Sequence, residues 1–584
     1  MAISLNWFYF ANSEASLTEI PAGTIPFQLN KQNSIELDSL EKRKHFTDEE
    51  CIVYNSFDLD AAQEIIFGCG VDWFFEAYLN GERLYSTMIS GNGCGYFTPE
   101  NHLFSGNCRK GKNLLAVRVR RGLSGSAFAF AEIAPGVVTL PSAPLTVCAD
   151  PGNSLGKIKL MNAVNNGPVV ARSDQSRGNL ALWKAAKIPY ARNHDAAFCS
   201  GYGGEHSVDI HAIFPDFCKD PYDAASYDFT LTDHFHQQII DAGTKVFFRL
   251  GSKIEHNIKK YGTVVPPDFK KWAVICEHII RHCNEGWADG HHMNIEYWEI
   301  WNEPDLSSGA EDKKTWQGTD EEFFELYRTA ATHLKKCFPH LKIGGPALAH
   351  KISWMREFLT AMTVGERVPI DFFSWHIYTV NPPQLAWLAG EMRRILDEFG
   401  YCDTESILDE WNYVGDWGAG FTRSIETIIS LKGAVFTVAC MSAAQEAPVD
   451  MLMYYDARPC AFNGLFDFYT YRALKGYYSF VAWSKLVDLG TQINVDTGNR
   501  KGIYATGATD GKGKTGILIS RYFADDELPE TMPLTIKVNG VDLSDAKLFV
   551  VDEEHDFEEV SYQRNGDGTL SFNMEANTFI YLEA

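Results

Sequence analysis

The sequence is short of the features that mark several protein classes. Its 13 cysteines are odd in number and scattered, with no CxxC pair. A disulfide framework is therefore not expected, and reduced thiols in a cytoplasmic compartment fit better. Basic residues are outnumbered, 52 Lys and Arg against 76 Asp and Glu, for a net charge of −24. That balance argues against nucleic acid or an anionic membrane surface as partner. The one basic cluster, Arg118, Arg120 and Arg121, lies in an alternating run and reads as a solvated strand face. No apolar run approaches the roughly 20 residues of a membrane span. Residues 1–7 have neither a basic start nor a continuous apolar stretch, so no secretory signal is expected. Repeats and low-complexity linkers are also missing, which predicts domains packed together. Gly91-Asn92-Gly93-Cys94-Gly95 fits neither GxGxxG nor a phosphate loop, and no nucleotide cofactor is expected.

What is present is a long chain rich in rings. At 584 residues it exceeds one core, so two to four domains are expected. Aromatics make up 13%, including 14 Trp, which favours ligands that stack. Residues 1–150 read as all-β, with short apolar strands and an Asn80-Gly81 hairpin turn. From about 155 the pattern changes. Strand-length runs at 157–161, 188–192, 245–250, 295–301, 341–345, 372–375, 406–409 and 451–455 alternate with helix-length segments. The helices fall near 177–186, 228–242, 268–284, 320–337, 353–362, 383–399 and 424–444. Eight such units predict an α/β fold, a TIM (β/α)8 barrel over 155–485. Residues 486–584 return to period-two alternation, with a second hairpin turn expected at Asn539-Gly540. The barrel is thus predicted to sit between N-terminal and C-terminal β-sandwich domains.

The most informative string is Tyr297-Trp298-Glu299-Ile300-Trp301-Asn302-Glu303-Pro304. It starts as a strand and ends with an amide and a carboxylate among indoles. Rings with a few polar groups suit a sugar cleft, and a poorly solvated carboxyl such as Glu303 is expected to be raised in pKa. Glu299, one alternation behind Trp301, reads as a buried, paired structural carboxylate. A second carboxylate follows the seventh strand in Leu408-Asp409-Glu410-Trp411-Asn412. Strand ends of a barrel meet over one pocket, so Glu303 and Glu410 are predicted to face each other.

Trp301-Asn302-Glu303-Pro304 resembles the acid/base motif of clan A glycoside hydrolases. With Ser374-Trp375-His376-Ile377-Tyr378, Asp409-Glu410-Trp411 and Arg192-Asn193-His194-Asp195, the set is most similar to glycoside hydrolase family 39, the β-xylosidase and α-L-iduronidase group. The resemblance covers about 155–485 and neither end of the chain. It implies a retaining, exo-acting glycosidase with Glu303 as acid/base and an ionised Glu410 as nucleophile, steadied by Arg192 and Tyr378. It further implies substrate contacts from Asn302, His376, Tyr378, Arg192, His194 and Trp411. The N-terminal domain resembles the jelly-roll modules attached to many glycosidases. The expected partner is an oligosaccharide or glycoside, and a homo-oligomer is compatible with the sequence.

Other readings leave marks that can be compared. A carbohydrate-binding protein on a dead barrel would not need both carboxylates. A lyase or aldolase would want a Schiff-base Lys or a metal cluster at strand ends, and no Lys stands at the ends of strands four, six or seven. A uronidase would want cations, which Lys253, His256, Lys259 and Lys260 could supply. His278 and His282 have i, i+4 metal spacing, yet no third ligand is close in sequence, so they read as helix-surface residues and no metal is expected. Cys199, in the long loop after strand two, lacks a His partner motif for a thiol nucleophile.

Overall fold

The computed structural model describes residues 3–4, 6–42, 48–93, 96–122, 125–134, 141–171, 177–195, 206–418, 420–525 and 528–584. Cys199 lies outside the described residues. Eight parallel strands close into a barrel: Leu160–Asn165, Tyr190–Arg192, Lys245–Leu250, Tyr297–Ile300, Lys342–Leu348, Phe372–Thr379, Glu405–Tyr413 and Met451–Tyr454. The eighth pairs back with the first. Each falls on one of the eight expected segments, and the sixth and seventh run further than expected, to Thr379 and Tyr413.

The period of two builds the barrel interior in layers. Ala163, Tyr190, Phe247, Tyr297, Phe372, Ile407 and Met451 pack together as one apolar layer. Two residues further along six of these strands come Asn165, Arg192, Arg249, Glu299, Ser374 and Asp409, all fully buried. An apolar plug thus carries a polar layer directly on top of it.

Some helices start where side chains satisfy their first amides. Asp268 accepts from Lys270 N and Lys271 N ahead of Phe269–Glu285, and Thr319 with Glu322 forms a capping box for Asp320–Cys337. The helix expected over 424–444 is two, Phe421–Ile428 and Leu431–Glu446, bent by 80°. Ser430 caps the second by accepting from Gly433 N. Leu431–Glu446 is apolar all round because it is buried all round, between barrel helices and the C-terminal sheet. Among the described residues no single helix is long and apolar enough to cross a membrane.

The N-terminal domain has antiparallel sheets of six and four strands around a core that includes Trp7, Phe67, Phe128 and Phe130. Asn80 (φ 53°) and Gly81 (φ 90°) make its predicted hairpin turn, where both central residues need positive φ. The basic cluster is not simply a solvated face. Arg121 is buried against Asp38, and Arg118 pairs with Glu76 at 2.9 Å.

The C-terminal domain also takes in a strand that crosses the expected boundary at 150. Strand Leu145–Lys157 leaves the N-terminal domain and inserts between Thr491–Asp496 and Met532–Val538 in a ten-stranded sheet. Its Leu145, Val147 and Ala149 join Ile493, Leu534 and Ile536 in that core. Local alternation cannot tell which sheet a strand will enter. For the same reason Asn539-Gly540 is not a hairpin: Met532–Val538 pairs with Leu570–Met574, and Lys547–Val551 pairs elsewhere.

Candidate active site

Two local irregularities assemble the site. Alternation turns Trp298, one residue before inward-facing Glu299, away from the pocket, and the left-handed backbone at Trp301 turns that ring away as well. Trp298 stacks on Phe248, and Trp301 packs against Trp272 and Trp316. The expected indole wall around Glu303 is therefore part of the helix–strand core. Past the fourth strand, Trp301 (φ 78°) and Glu303 (φ 50°) take left-handed backbone, a strained conformation for such residues. This break in alternation lets Asn302 and Glu303 both reach the pocket network. In the seventh strand the register slips between Trp375↔Leu408 and His376↔Glu410. Such a bulge lets consecutive Asp409 and Glu410 both reach the network. Trp411, expected at the substrate, resumes the alternation and faces outward onto Phe436 and Tyr454.

Glu303 and Glu410 approach closely. Ligand oxygens of both lie within 4.8 Å of each other and of a His376 ring nitrogen. His376 Nδ1 contacts Glu303 Oε1 at 2.8 Å, and its Nε2 faces Asp409 at 3.4 Å. Burial works against a charged imidazole here, but Glu410, Asp409 and Glu303 hold its pKa well above the ordinary value. The phenol of Tyr378 donates to Glu410 Oε1 at 2.5 Å, and Arg192 Nη1 donates to Glu410 Oε2 at 3.3 Å.

Arg192 organises the floor. Its Nε donates to Glu299 at 2.7 Å and pairs with Asp409 at 3.0 Å, and its Nη2 donates to Asn302 Oδ1 at 2.7 Å. Glu299 also accepts from Ser374 Oγ at 2.6 Å, matching its reading as a paired structural carboxylate. Burial, and then Asp409, push Glu299 above the carboxylate range against the pull of Arg192. Asp409 is held below that range by Arg192 and its other partners in spite of its own burial. The Asn302 Oδ1 bond turns its Nδ2, a buried donor with no protein partner, free for a ligand.

One electrostatic expectation is corrected. Glu410 touches both Arg192 and Tyr378, yet its carboxyl is pushed up to about 7. Burial is the main cause and Glu303 adds to it, while His376, Arg192 and Tyr378 pull the other way.

A cleft of about 680 Å³ is lined by Asp195, His206, Lys253, His256, Tyr455 and Arg458 among others, and its Tyr455 ring lies 6.5 Å from that of Tyr378. Tyr455 donates to Asp195 Oδ2 at 2.5 Å, and buried His194 stands against Tyr455. Of the four cations weighed for a uronide, Lys253 and His256 line this cleft. Lys260 instead pairs with Asp312, and Lys259 sits over the Tyr261 ring. Trp417, 60% exposed, meets Tyr378 edge-on at 4.9 Å and stacks on Phe421. Sequence reading missed Asp409, Asp195, Tyr455 and Trp417. Asp409 and Asp195 adjoin motif residues and were in reach, whereas nothing local marks Trp417. His278 and His282, expected on a helix surface, are both buried.

Residues 159–392 match glycosyl hydrolases family 39. A beta-xylosidase from Caldicellulosiruptor saccharolyticus is 32% identical over 166 residues, 27% of this chain and 32% of that protein. A beta-xylosidase from Geobacillus stearothermophilus is 34% identical over 126 residues, 21% of this chain and 23% of that protein. The chain thus spans about a third or less of the length of these curated relatives. A glucosidase structure from Croceicoccus marinus superposes with a TM-score of 0.61 at 21% identity, over 76% of this chain and 99% of that one, a likeness of fold. Residues 159–392 of this chain are thus similar to glycosyl hydrolases family 39, on a fold shared with a solved glucosidase.

Proposed function

We propose that this protein is a retaining, exo-acting glycoside hydrolase that removes a terminal non-reducing sugar, with β-xylosides as the leading substrate class. The observation that carries the reading is the approach of Glu303 and Glu410 to within 4.8 Å at the mouth of one barrel. Retaining enzymes hold their carboxyls about 5–5.5 Å apart, whereas inverting ones leave room for a water. The names of the two partial relatives favour a β-xyloside.

Glu410, oriented by two donors, attacks the anomeric carbon. As that bond forms, the glycosidic C–O bond breaks and Glu303 gives its proton to the leaving oxygen. The proton lies in the His376 Nδ1–Glu303 bond: shifting it onto Glu303 leaves a neutral imidazole and makes Glu303 the acid. Glu303, then a carboxylate, takes a proton from water as that water attacks the glycosyl-enzyme, and Glu410 departs ionised. Asn302 Nδ2 is the donor aimed at the sugar hydroxyl beside the reacting carbon.

The test is azide rescue on dinitrophenyl xyloside. Glu303→Ala should keep much of its first-step rate and give a glycosyl azide of retained configuration. Glu410→Ala should give the inverted azide. The same stereochemistry from both variants would overturn the roles. A second reading, cleavage of uronides, is favoured by Lys253, His256 and Arg458 around the cleft of about 680 Å³. A panel of chromogenic xylosides, glucosides and glucuronides separates the two.

A further inference from the structure

A second cluster of metal-ligating side chains lies outside the catalytic pocket. It combines Asp233 from helix Thr230–Asp241, His282 from the last turn of helix Phe269–Glu285, and His291 from the connection to the fourth strand. His282 Nε2 stands 3.0 Å from Asp233 Oδ1 and 3.1 Å from Oδ2, and His291 Nε2 stands 3.2 Å from the same Oδ2. One ligand atom from each residue lies within 4.8 Å of the other two.

The hydrogen bonding makes this more than a crowded spot. His282 Nδ1 is 2.9 Å from the carbonyl oxygen of Trp287. A carbonyl only accepts, so Nδ1 carries the hydrogen and a neutral ring presents the lone pair of Nε2 to the carboxylate. Lone pair against carboxylate needs a cation between or a second proton on the ring. Both rings converge through Nε2 on the one Asp233 carboxylate. One divalent ion answers all three groups at once. A backbone carbonyl behind a ligating imidazole is the usual outer-shell arrangement of metal sites. Bonds of about 2.0–2.1 Å in tetrahedral geometry give ligand–ligand edges of roughly 3.3 Å, close to the separations here.

The surroundings hold the ligands in place. The ring of Phe229 stacks on His282 at 3.5 Å with planes 4° apart. The chain then turns back over His282: Gly286, Ala288 and Asp289 all have positive φ, and His291 N donates to His282 O at 2.7 Å. A side chain at Gly290 would meet His282 O at 2.2 Å. His282 is buried while His291 is 39% exposed, so an ion can enter and keep a water.

We propose that Asp233, His282 and His291 form a zinc site that ties two outer helices to the loop feeding the catalytic fourth strand. Two imidazoles and one carboxylate are a borderline donor set that suits Zn²⁺. It lies among outer helices and shares no residue with the catalytic network. The site is therefore stabilising, and glycoside turnover should not depend on it.

The experiment is equilibrium dialysis of chelator-stripped full-length protein against Zn²⁺, with metal counted per chain and thermal unfolding followed in parallel. The wild type should hold one zinc and unfold at higher temperature when loaded. His291→Ala, which removes the exposed ligand, should bind at least about tenfold more weakly, since even outer-shell partners are worth 10–100-fold. It should keep the unfolding midpoint of the stripped wild type. His333→Ala, in the separate Glu277, His333 and Cys337 group, should bind zinc like the wild type. No bound zinc in the wild type, or zinc lost in His333→Ala and kept in His291→Ala, overturns the proposal.

Discussion

Replacing Tyr378 by Phe isolates the contribution of one hydrogen bond to the proposed nucleophile. The phenol donates to Glu410 Oε1 at 2.5 Å, and burial followed by the Glu410 charge keeps it protonated well above its ordinary pKa. Phenylalanine preserves the ring that meets Trp417, Tyr455 and Phe462. What disappears is a charge-assisted bond, leaving Arg192 as the donor to Glu410. Such bonds contribute about 1.5–3 kcal/mol. In the second step Glu410 must leave as a carboxylate, so a loss of that size converts to roughly 10- to 150-fold in rate. The same change has a signature in pH. Glu410 is pushed up to about 7, and the Tyr378 bond is one of the influences pulling it down. Because a nucleophile must be ionised, kcat/KM should fall as pH drops through that value, and in the variant this limb should move to higher pH. The assay is kcat for the size of the loss and kcat/KM for the pH limb, on a chromogenic xyloside from about pH 5 to about pH 9, with circular dichroism to verify the fold. A limb that stays in place or moves down while the rate falls would refute the reasoning.

Three further outcomes are expected. Arg192→Met removes a buried cation that touches Glu299, Asp409 and Glu410; denaturant unfolding should show a loss of about 3–5 kcal/mol, and a loss under about 1 kcal/mol would contradict the floor described above. Asp525, pushed up to about 7 chiefly by burial, accepts from Ser90 between the C-terminal and N-terminal domains. Its folded pKa is raised above the unfolded value near 3.9, so its contribution is full below about pH 4 and lost as pH rises through about 7. Asp525→Asn should therefore unfold at a higher temperature than the wild type above pH 7, by at most on the order of 4 kcal/mol, and equal stability there would count against it. Trp417→Ala should raise KM roughly 3- to 10-fold, as one aromatic contact does, with the thermal midpoint unchanged; a lowered midpoint would mean that Trp417 is structural.

Much of the fold can be read from the chain because barrel strands are written in local patterns. Runs such as 245–250 are short, apolar and set between helix-length segments, and no partner is needed to recognise them. The Trp-Asn-Glu-Pro string marks Glu303 equally locally, and barrel topology then brings Glu410 to it. The side on which an indole falls is different. Trp298, Trp301 and Trp411 look like a sugar platform in sequence, but strand alternation turns Trp298 and Trp411 toward the helices, and left-handed backbone does the same to Trp301. Alternation in turn fails at Glu303 and Asp409, where left-handed backbone and a register slip decide what faces the pocket. Both irregularities are held by contacts made across the barrel.

Charge follows the same division. The sequence names the carboxylates and the cations, whereas burial and neighbours set which carboxyl holds a proton. Burial raises Glu299 and Glu410, and Asp409 is held down by Arg192 and His376, residues far apart in the chain. Strand Leu145–Lys157 shows the limit for domains: its alternation determines that it is a strand with one apolar face. Only the packed C-terminal core, with Ile493 and Leu534 waiting for that face, decides which sheet it completes.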